Sequence, residues 1–193
     1  MLLKYLCCLL LISSCTGGTP KSTVNTVEEP ESNFTTIQED NVTPDSTLLC
    51  QINGVNWYYT TVRARKIMST DYKPRKKYVL NFKNEQSPAG ENISLMYNAV
   101  TEQLEYVDIA LQDPDGEKGM RKFAGIKGFT EKETSQIKDI GTLSNISADK
   151  ISGNADFVIP KNSKGVFKNE MDNDIVITNL KFKGLQFDDE SEY

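Results

Sequence analysis

The residues of this sequence that could do chemistry are its acidic and basic side chains, because histidine is absent from all 193 residues. Without histidine, Ser-His-Asp and Cys-His catalysis, histidine-ligated zinc and histidine pH switches are excluded. Carboxylate pairs, a Ser-Lys dyad and metals held by oxygen ligands remain as chemical possibilities. No motif calls for a cofactor, and none is predicted.

A run of basic residues is the densest group of charges. Seven positive charges fall within fifteen residues against one acid, Asp71; they are Arg63, Arg65, Lys66, Lys73, Arg75, Lys76 and Lys77. Strand alternation places Arg63 and Arg65 on one face. The patch suits an anionic ligand such as an acidic glycan or lipopolysaccharide phosphate, with nucleic acid not expected. It also suits a solvated sheet edge, where lysines prevent aggregation, and this second interpretation is favoured.

Two acidic segments are candidates for a calcium site. Asp113, Asp115 and Glu117 alternate along the chain, and so do Asp172 and Asp174. Calcium prefers clustered oxygen ligands in loops, but neither segment matches the twelve-residue EF-hand loop. Polar turns are therefore the favoured interpretation, and no metal site is predicted.

A carboxylate-dependent hydrolase is the enzymatic alternative. A glycosidase needs two carboxylates about 5 to 9.5 Å apart. Asp113 with Asp115, or Glu102 with Glu105, are the candidate pairs. Asp-Pro-Asp-Gly is more typical of a type I turn than of a catalytic site. No catalytic residue is predicted.

One aromatic cluster, Trp57-Tyr58-Tyr59, is a candidate for sugar stacking. In a strand, Trp57 and Tyr59 share one face and Tyr58 takes the other. Trp57 is expected in the core because of the large area it buries. Tyr58 is then the candidate for an exposed aromatic contact.

The N-terminus has the form of a secretory signal. Lys4 supplies a positive charge, an apolar stretch runs from Tyr5 to Ile12, and Ser13 and Ser14 lead into Cys15. A stretch this short is a signal peptide rather than a membrane span. Ile12-Ser13-Ser14-Cys15 also resembles the bacterial lipobox, which implies acyl chains on Cys15. The membrane is then a partner through those chains.

Cysteine usage agrees with this interpretation. Cys7 and Cys8 leave with the signal and Cys15 carries lipid, so Cys50 is alone in the mature chain. No internal disulfide is possible. Cys50 is expected to be a small buried hydrophobic residue rather than a nucleophile.

Composition divides the chain into four parts. Residues 1–14 are the signal peptide, residues 15–46 a lipidated cysteine and disordered acidic linker, residues 47–187 a globular body, and residues 188–193 an acidic tail. The body carries 20 basic and 17 acidic residues, so the overall charge of −5 hides a mildly basic domain. The triplet Asp45-Ser46-Thr47 resembles the periplasmic O-glycosylation sites of Bacteroidota, which makes Ser46 a candidate for glycosylation.

Hydrophobic residues in the body alternate with a period of two. The pattern is clear around Tyr78–Phe82, Ile93–Ala99 and Ile151–Ile159, and less regular over Leu104–Leu111 and Ile175–Phe182. Turn signals at residues 53–54, 88–90, 113–116 and 162–165 separate the strands. This predicts an all-β domain, an antiparallel β-sandwich or open barrel. A capping box at Thr130–Glu133 predicts one short helix to about Ile140.

The body resembles small Bacteroidota lipoproteins of uncharacterised function. Three short motifs carry the resemblance: Ile52-Asn53-Gly54-Val55-Asn56-Trp57, Ile151-Ser152-Gly153 followed by Phe157, and Val176-Ile177-Thr178-Asn179 followed by Phe182. The resemblance implies a single β-rich domain and brings no catalytic residues.

The function expected from the sequence is that of a lipid-anchored, non-enzymatic envelope lipoprotein that binds a ligand or partner. Its partner would be a glycan or another envelope protein. A glycan hydrolase and an assembly subunit of a membrane complex are the alternatives. Thr16 after the lipidated cysteine favours the outer membrane, and the absence of an acidic run at residues 16–20 favours the periplasmic side.

Overall fold

The computed structural model describes residues 45–70, 74–128, 132 and 137–192. Twelve strands form within these ranges: β1 (Thr47–Ile52), β2 (Val55–Tyr59), β3 (Thr61–Ser69), β4 (Arg75–Asn84), β5 (Glu91–Asn98), β6 (Leu104–Gln112), β7 (Arg121–Lys127), β8 (Gly141–Ser144), β9 (Lys150–Ile159), β10 (Phe167–Asn169), β11 (Ile175–Gln186) and β12 (Asp188–Glu190). The predicted signal peptide, Cys15, the linker up to residue 44 and Lys73 lie outside the described residues.

The strands form two packed sheets that do not close into a barrel. The smaller sheet has the order β2-β1-β11-β9-β8, and the larger one β10-β7-β6-β5-β4-β3-β12. Every pairing is antiparallel except that of β12 with β3. The all-β prediction is confirmed, and of its two architectures the structure is the sandwich.

Alternation decides which side chains form the core. Tyr78, Leu80 and Phe82 of β4 are buried, and the residues between them face the outer side of the larger sheet. In β9, Ile151 and Phe157 point inward in the same way. Burial of such one-sided strands against each other is the main stabilising contribution in a sandwich.

Aromatic rings join the two sheets. Phe182 of β11 lies 5.9 Å from Phe82 and 6.0 Å from Tyr97, measured between ring centroids. Gly153 makes room for Phe182, since a Cβ at this position would come within 2.5 Å of the ring. The Tyr97 hydroxyl donates to the carbonyl oxygen of Asn154 across the interface at 3.2 Å. Burial raises the pKa of Tyr97, so this donor keeps its proton.

The predicted turns connect the predicted strands. Asn53 and Gly54 have φ values of 51° and 81°, as a two-residue type I′ hairpin turn requires. The other three signals fall between β4 and β5, between β6 and β7, and between β9 and β10. The predicted helix falls mostly outside the described residues, and residues 137–140, which are described, are not helical.

The end of the chain differs from the sequence-based boundary at residue 187. Residues Asp188–Glu190 do not form a separate tail but pair in parallel with Arg65–Ile67 as strand β12. Phe187, between β11 and β12, packs edge-on against Tyr78 at 5.1 Å. Basic side chains on β3 provide the opposite charge that makes this short acidic strand favourable at the edge.

Candidate functional site

In the larger sheet, the residues of the predicted basic patch lie in different surroundings. Arg63 and Arg65 share its outer face, as alternation predicts, because they lie opposite Asn81 and Val79 of β4. Lys66 belongs to the other face, opposite Tyr78. Arg75, Lys76 and Lys77 begin β4 at the far end of β3. The six of these residues that the structure describes therefore do not form one surface.

Arg63 and Arg65 border a pocket of about 250 Å³ on the outer face, here called the basic pocket. Its lining consists of Thr61, Val62, Arg63, Arg65, Asn81 and Lys83. Lys83 was missed by sequence reasoning because it lies beyond the basic run. The register Thr61↔Lys83 brings it beside the arginines, and only a correct hairpin alignment of β3 with β4 would have revealed it.

Two acids approach the basic pocket: Glu85, whose carboxylate accepts from the Thr61 hydroxyl at 3.5 Å, and Glu190 of β12. The two carboxylate oxygens of Glu190 lie 3.5 Å from Arg63 Nη2 and from Arg65 Nη1. These contacts are long for charge-assisted hydrogen bonds. The pocket thus keeps excess positive charge, and the buried Nε of one of its arginines, Arg65, makes no hydrogen bond among the described residues.

Lys66 is neutralised separately. Its ammonium lies 2.9 Å from Asp189 Oδ2. The Ser191 hydroxyl and Lys66 both donate to Asp189 and lower the pKa of this carboxyl well below its usual range. This pair fastens β12 to β3 and already neutralises Lys66.

Arg75 and Lys77 lie in a buried polar cluster at the other end of the sheet. Arg75 Nη1 donates to Glu105 Oε1 at 3.2 Å, and Nη2 makes an ionic contact with Oε2 at 3.1 Å. Asn98 donates to the same carboxylate at 2.9 Å. Glu105 and Lys77 are 3% and 1% exposed. These basic residues have a structural role, whereas Lys76 is half-buried beside them.

The two acidic segments proposed for calcium meet at one end of the sandwich. Lys122 Nζ lies between them, 2.8 Å from Asp172 Oδ2 and 3.2 Å from Asp113 Oδ1. Its ammonium thus takes the place that a cation would have between these carboxylates. Across the described ranges, no group of three or more acidic or cysteine side chains converges in a way that could hold a metal.

The four candidate catalytic carboxylates lie either in the buried polar cluster or in turns between strands. Glu105 is bound by Arg75 and Asn98, as described above. Glu102 lies in the turn between β5 and β6 with a φ of 60°. Asp113 and Asp115 belong to the predicted Asp-Pro-Asp-Gly turn, in which the Asp113 side chain accepts from the backbone N–H of Asp115 at 3.1 Å.

The aromatic cluster lies in β2. Trp57 is 6% exposed, as predicted, and its indole N–H donates to Glu91 Oε2 at 3.0 Å. Tyr58 is half-buried on the opposite face, next to the exposed Leu48. Ser46, the glycosylation candidate, immediately precedes β1 and is partly exposed.

The prediction that Cys50 is buried is confirmed. It is a free cysteine, 1% exposed. Burial raises the pKa of its thiol to about 12, so the nucleophilic thiolate is suppressed at neutral pH.

Comparisons with protein families, with curated proteins and with solved structures give no match to this chain. In the part of the chain that the structure describes, no helix has the length and apolar character needed to cross a membrane.

Proposed function

We propose that this chain is a lipid-anchored cell-envelope protein whose β-sandwich binds an anionic ligand at the basic pocket. The observation that carries the proposal is the convergence of Arg63, Arg65 and Lys83 on one pocket of about 250 Å³. Glu190 contacts both arginines at 3.5 Å. Three positive charges outnumber the two nearby carboxylates, Glu190 at the arginines and Glu85 at the Thr61 hydroxyl, and so favour an incoming anion.

Displacing Glu190 from the pocket costs little. The side chains of Arg63, Arg65 and Glu190 are 63%, 30% and 40% exposed, and ion pairs at a surface contribute about 0 to 1 kcal/mol. A phosphate or carboxylate group that binds both guanidinium groups at shorter distances gains stronger, charge-assisted hydrogen bonds. Acidic glycans and lipopolysaccharide phosphates both carry such groups.

A charge-reversal variant tests the binding site. Polygalacturonate and lipopolysaccharide are the two probes, because one offers carboxylates and the other phosphates. Arg63→Glu/Lys83→Glu is expected to lower the affinity for the preferred probe by at least about tenfold, as each reversed charge removes an attraction and adds a repulsion. Binding is measured by biolayer interferometry at two salt concentrations, with weaker binding expected at the higher one.

Lys161→Glu/Lys164→Glu is the matched control, since both lysines are exposed in the loop between β9 and β10, away from the basic pocket. Equal losses in the two variants would indicate a general charge effect and contradict a specific pocket. Failure of both probes to bind the unaltered protein would overturn the anion site. Release of reducing ends from polygalacturonate would support the hydrolase alternative instead.

The anchor is tested separately on Cys15. We expect metabolic labelling with a palmitate analogue to mark the protein, and Cys15→Ser to abolish the label and move the protein out of the membrane fraction. Protease treatment of intact cells is expected to leave a C-terminal tag intact, as for a known periplasmic lipoprotein. An unlabelled, soluble protein would contradict the anchor, and loss of the tag would place the body outside the cell.

A further inference from the structure

A cleft separate from the basic pocket lies between the two sheets at one end of the sandwich. It has a volume of about 400 Å³, within the range of about 300 to 1,000 Å³ found for small-molecule sites. Its floor is apolar: Ile52 and Ile175 come from the smaller sheet, Leu111 from the larger one, and Met171 from the loop between β10 and β11. We call it the end cleft.

The rim of the end cleft has an acidic character. Asp115, Lys122 and Asp172 are the charged residues of its lining. Asp113 also lies 3.2 Å from the Lys122 ammonium, so the one positive charge of the lining is shared by two carboxylates. Asp115 makes no ion pair among the described residues, and Asp172 is largely exposed. An incoming cation therefore meets the Asp115 carboxylate and competes with Lys122 for that of Asp172, above an apolar floor.

Lys122 indicates what kind of group this rim accepts. It is a primary ammonium on an aliphatic stem, and its side chain is only 24% exposed. Its ammonium lies 2.8 Å from Asp172 Oδ2, a short, charge-assisted contact. Hydrogen bonds from Lys122 lower the pKa of Asp172, which keeps this carboxylate charged. The chain thus already places an amphiphilic amine of its own at this rim.

From the apolar floor and the acidic rim together, we propose that the end cleft binds a small amphiphilic amine. Its apolar body packs on Ile52, Met171 and Ile175, and its ammonium group binds Asp115 and Asp172. An alcohol of the same length fills the floor but lacks the charge, and a carboxylate of the same length is repelled by the rim.

Three probes of equal length test this site: hexylamine, 1-hexanol and hexanoate. They are titrated into the full chain labelled with ¹³C at its methionine methyl groups. Met171→Leu identifies the Met171 signal, and Met96 on the outer face of the larger sheet is the internal reference. We expect hexylamine to shift the methyl signal of Met171 in a saturable way. It is expected to bind at least about fivefold more tightly than 1-hexanol, and hexanoate is expected to bind most weakly.

Charge variants decide between an amine site and a general apolar cleft. Asp115→Asn/Asp172→Asn is expected to lower the affinity for hexylamine at least about fivefold and to leave the affinity for 1-hexanol unchanged. Lys122→Met removes the ammonium group that competes for Asp172, so it is expected to raise the affinity for hexylamine. The apolar floor is unchanged in this variant. Equal affinity for all three probes, or no shift of Met171 at any probe concentration, would overturn the proposal.

Discussion

Replacing Phe82 with alanine is expected to lower the free energy of unfolding by about 3 to 5 kcal/mol, the range for an aromatic residue deleted from a core. Phe82 is fully buried in β4, a central strand of the larger sheet. Its ring contacts Tyr59 at 5.1 Å in an edge-on arrangement and Phe182 of the opposite sheet at 5.9 Å. The substitution therefore opens a cavity between the sheets.

Denaturant unfolding followed by tryptophan fluorescence measures this loss, because Trp57 is the single tryptophan and is buried. Phe123→Ala is the matched control. Phe123 is 38% exposed on β7, so its removal is expected to cost less than about 1 kcal/mol. Similar losses for the two variants would show that the interface around Phe82 is not the packed core described above.

Removing the carboxylate of Glu105 is expected to have the second large effect. Glu105→Ala leaves the Arg75 guanidinium without its partner and frees the Asn98 amide that donates to Glu105. Breaking a buried pair on one side costs about 3 to 5 kcal/mol. Arg75 is 24% exposed, so water can reach part of it, and we expect a loss near 3 kcal/mol, the lower end of that range.

A double variant separates the charge from the packing. Arg75→Met/Glu105→Leu removes both charges and keeps apolar volume, and it is expected to recover at least half of the loss. Unfolding is again measured by the fluorescence of Trp57. If the double variant is as unstable as Glu105→Ala, then shape, rather than an unpaired charge, is what Glu105 contributes.

The secondary structure was predicted well from local sequence. Alternation in β4, β5 and β9 was regular because each of these strands has one face in the core. Asn53-Gly54 specified its turn directly, since both residues adopt positive φ. The β12 strand was not predicted because three consecutive acidic residues show no alternation of polar and apolar side chains. Their pairing depends on Arg65 and Lys66, more than 120 residues earlier in the chain.

The candidate sites were less predictable than the strands, because a sequence shows which residues are charged but not which residues they contact. The basic run predicted a single patch. In the structure, Arg75 is instead bound by the buried Glu105, and Lys83 joins Arg63 and Arg65 from outside the run. The two acidic turns were separate in the sequence, and their contact through Lys122 required both loops to reach the same end of the sandwich.

The sequence alone therefore determined the properties that depend on neighbouring residues: most of the strands and turns, the buried faces of β4, β5 and β9, and the absence of histidine chemistry. Strand order, the basic pocket and the end cleft were decided by tertiary structure. The physical reason is that cross-strand register and sheet packing bring together residues that are far apart in the chain. A charged side chain becomes a structural ion pair or an available binding group according to what those contacts place beside it.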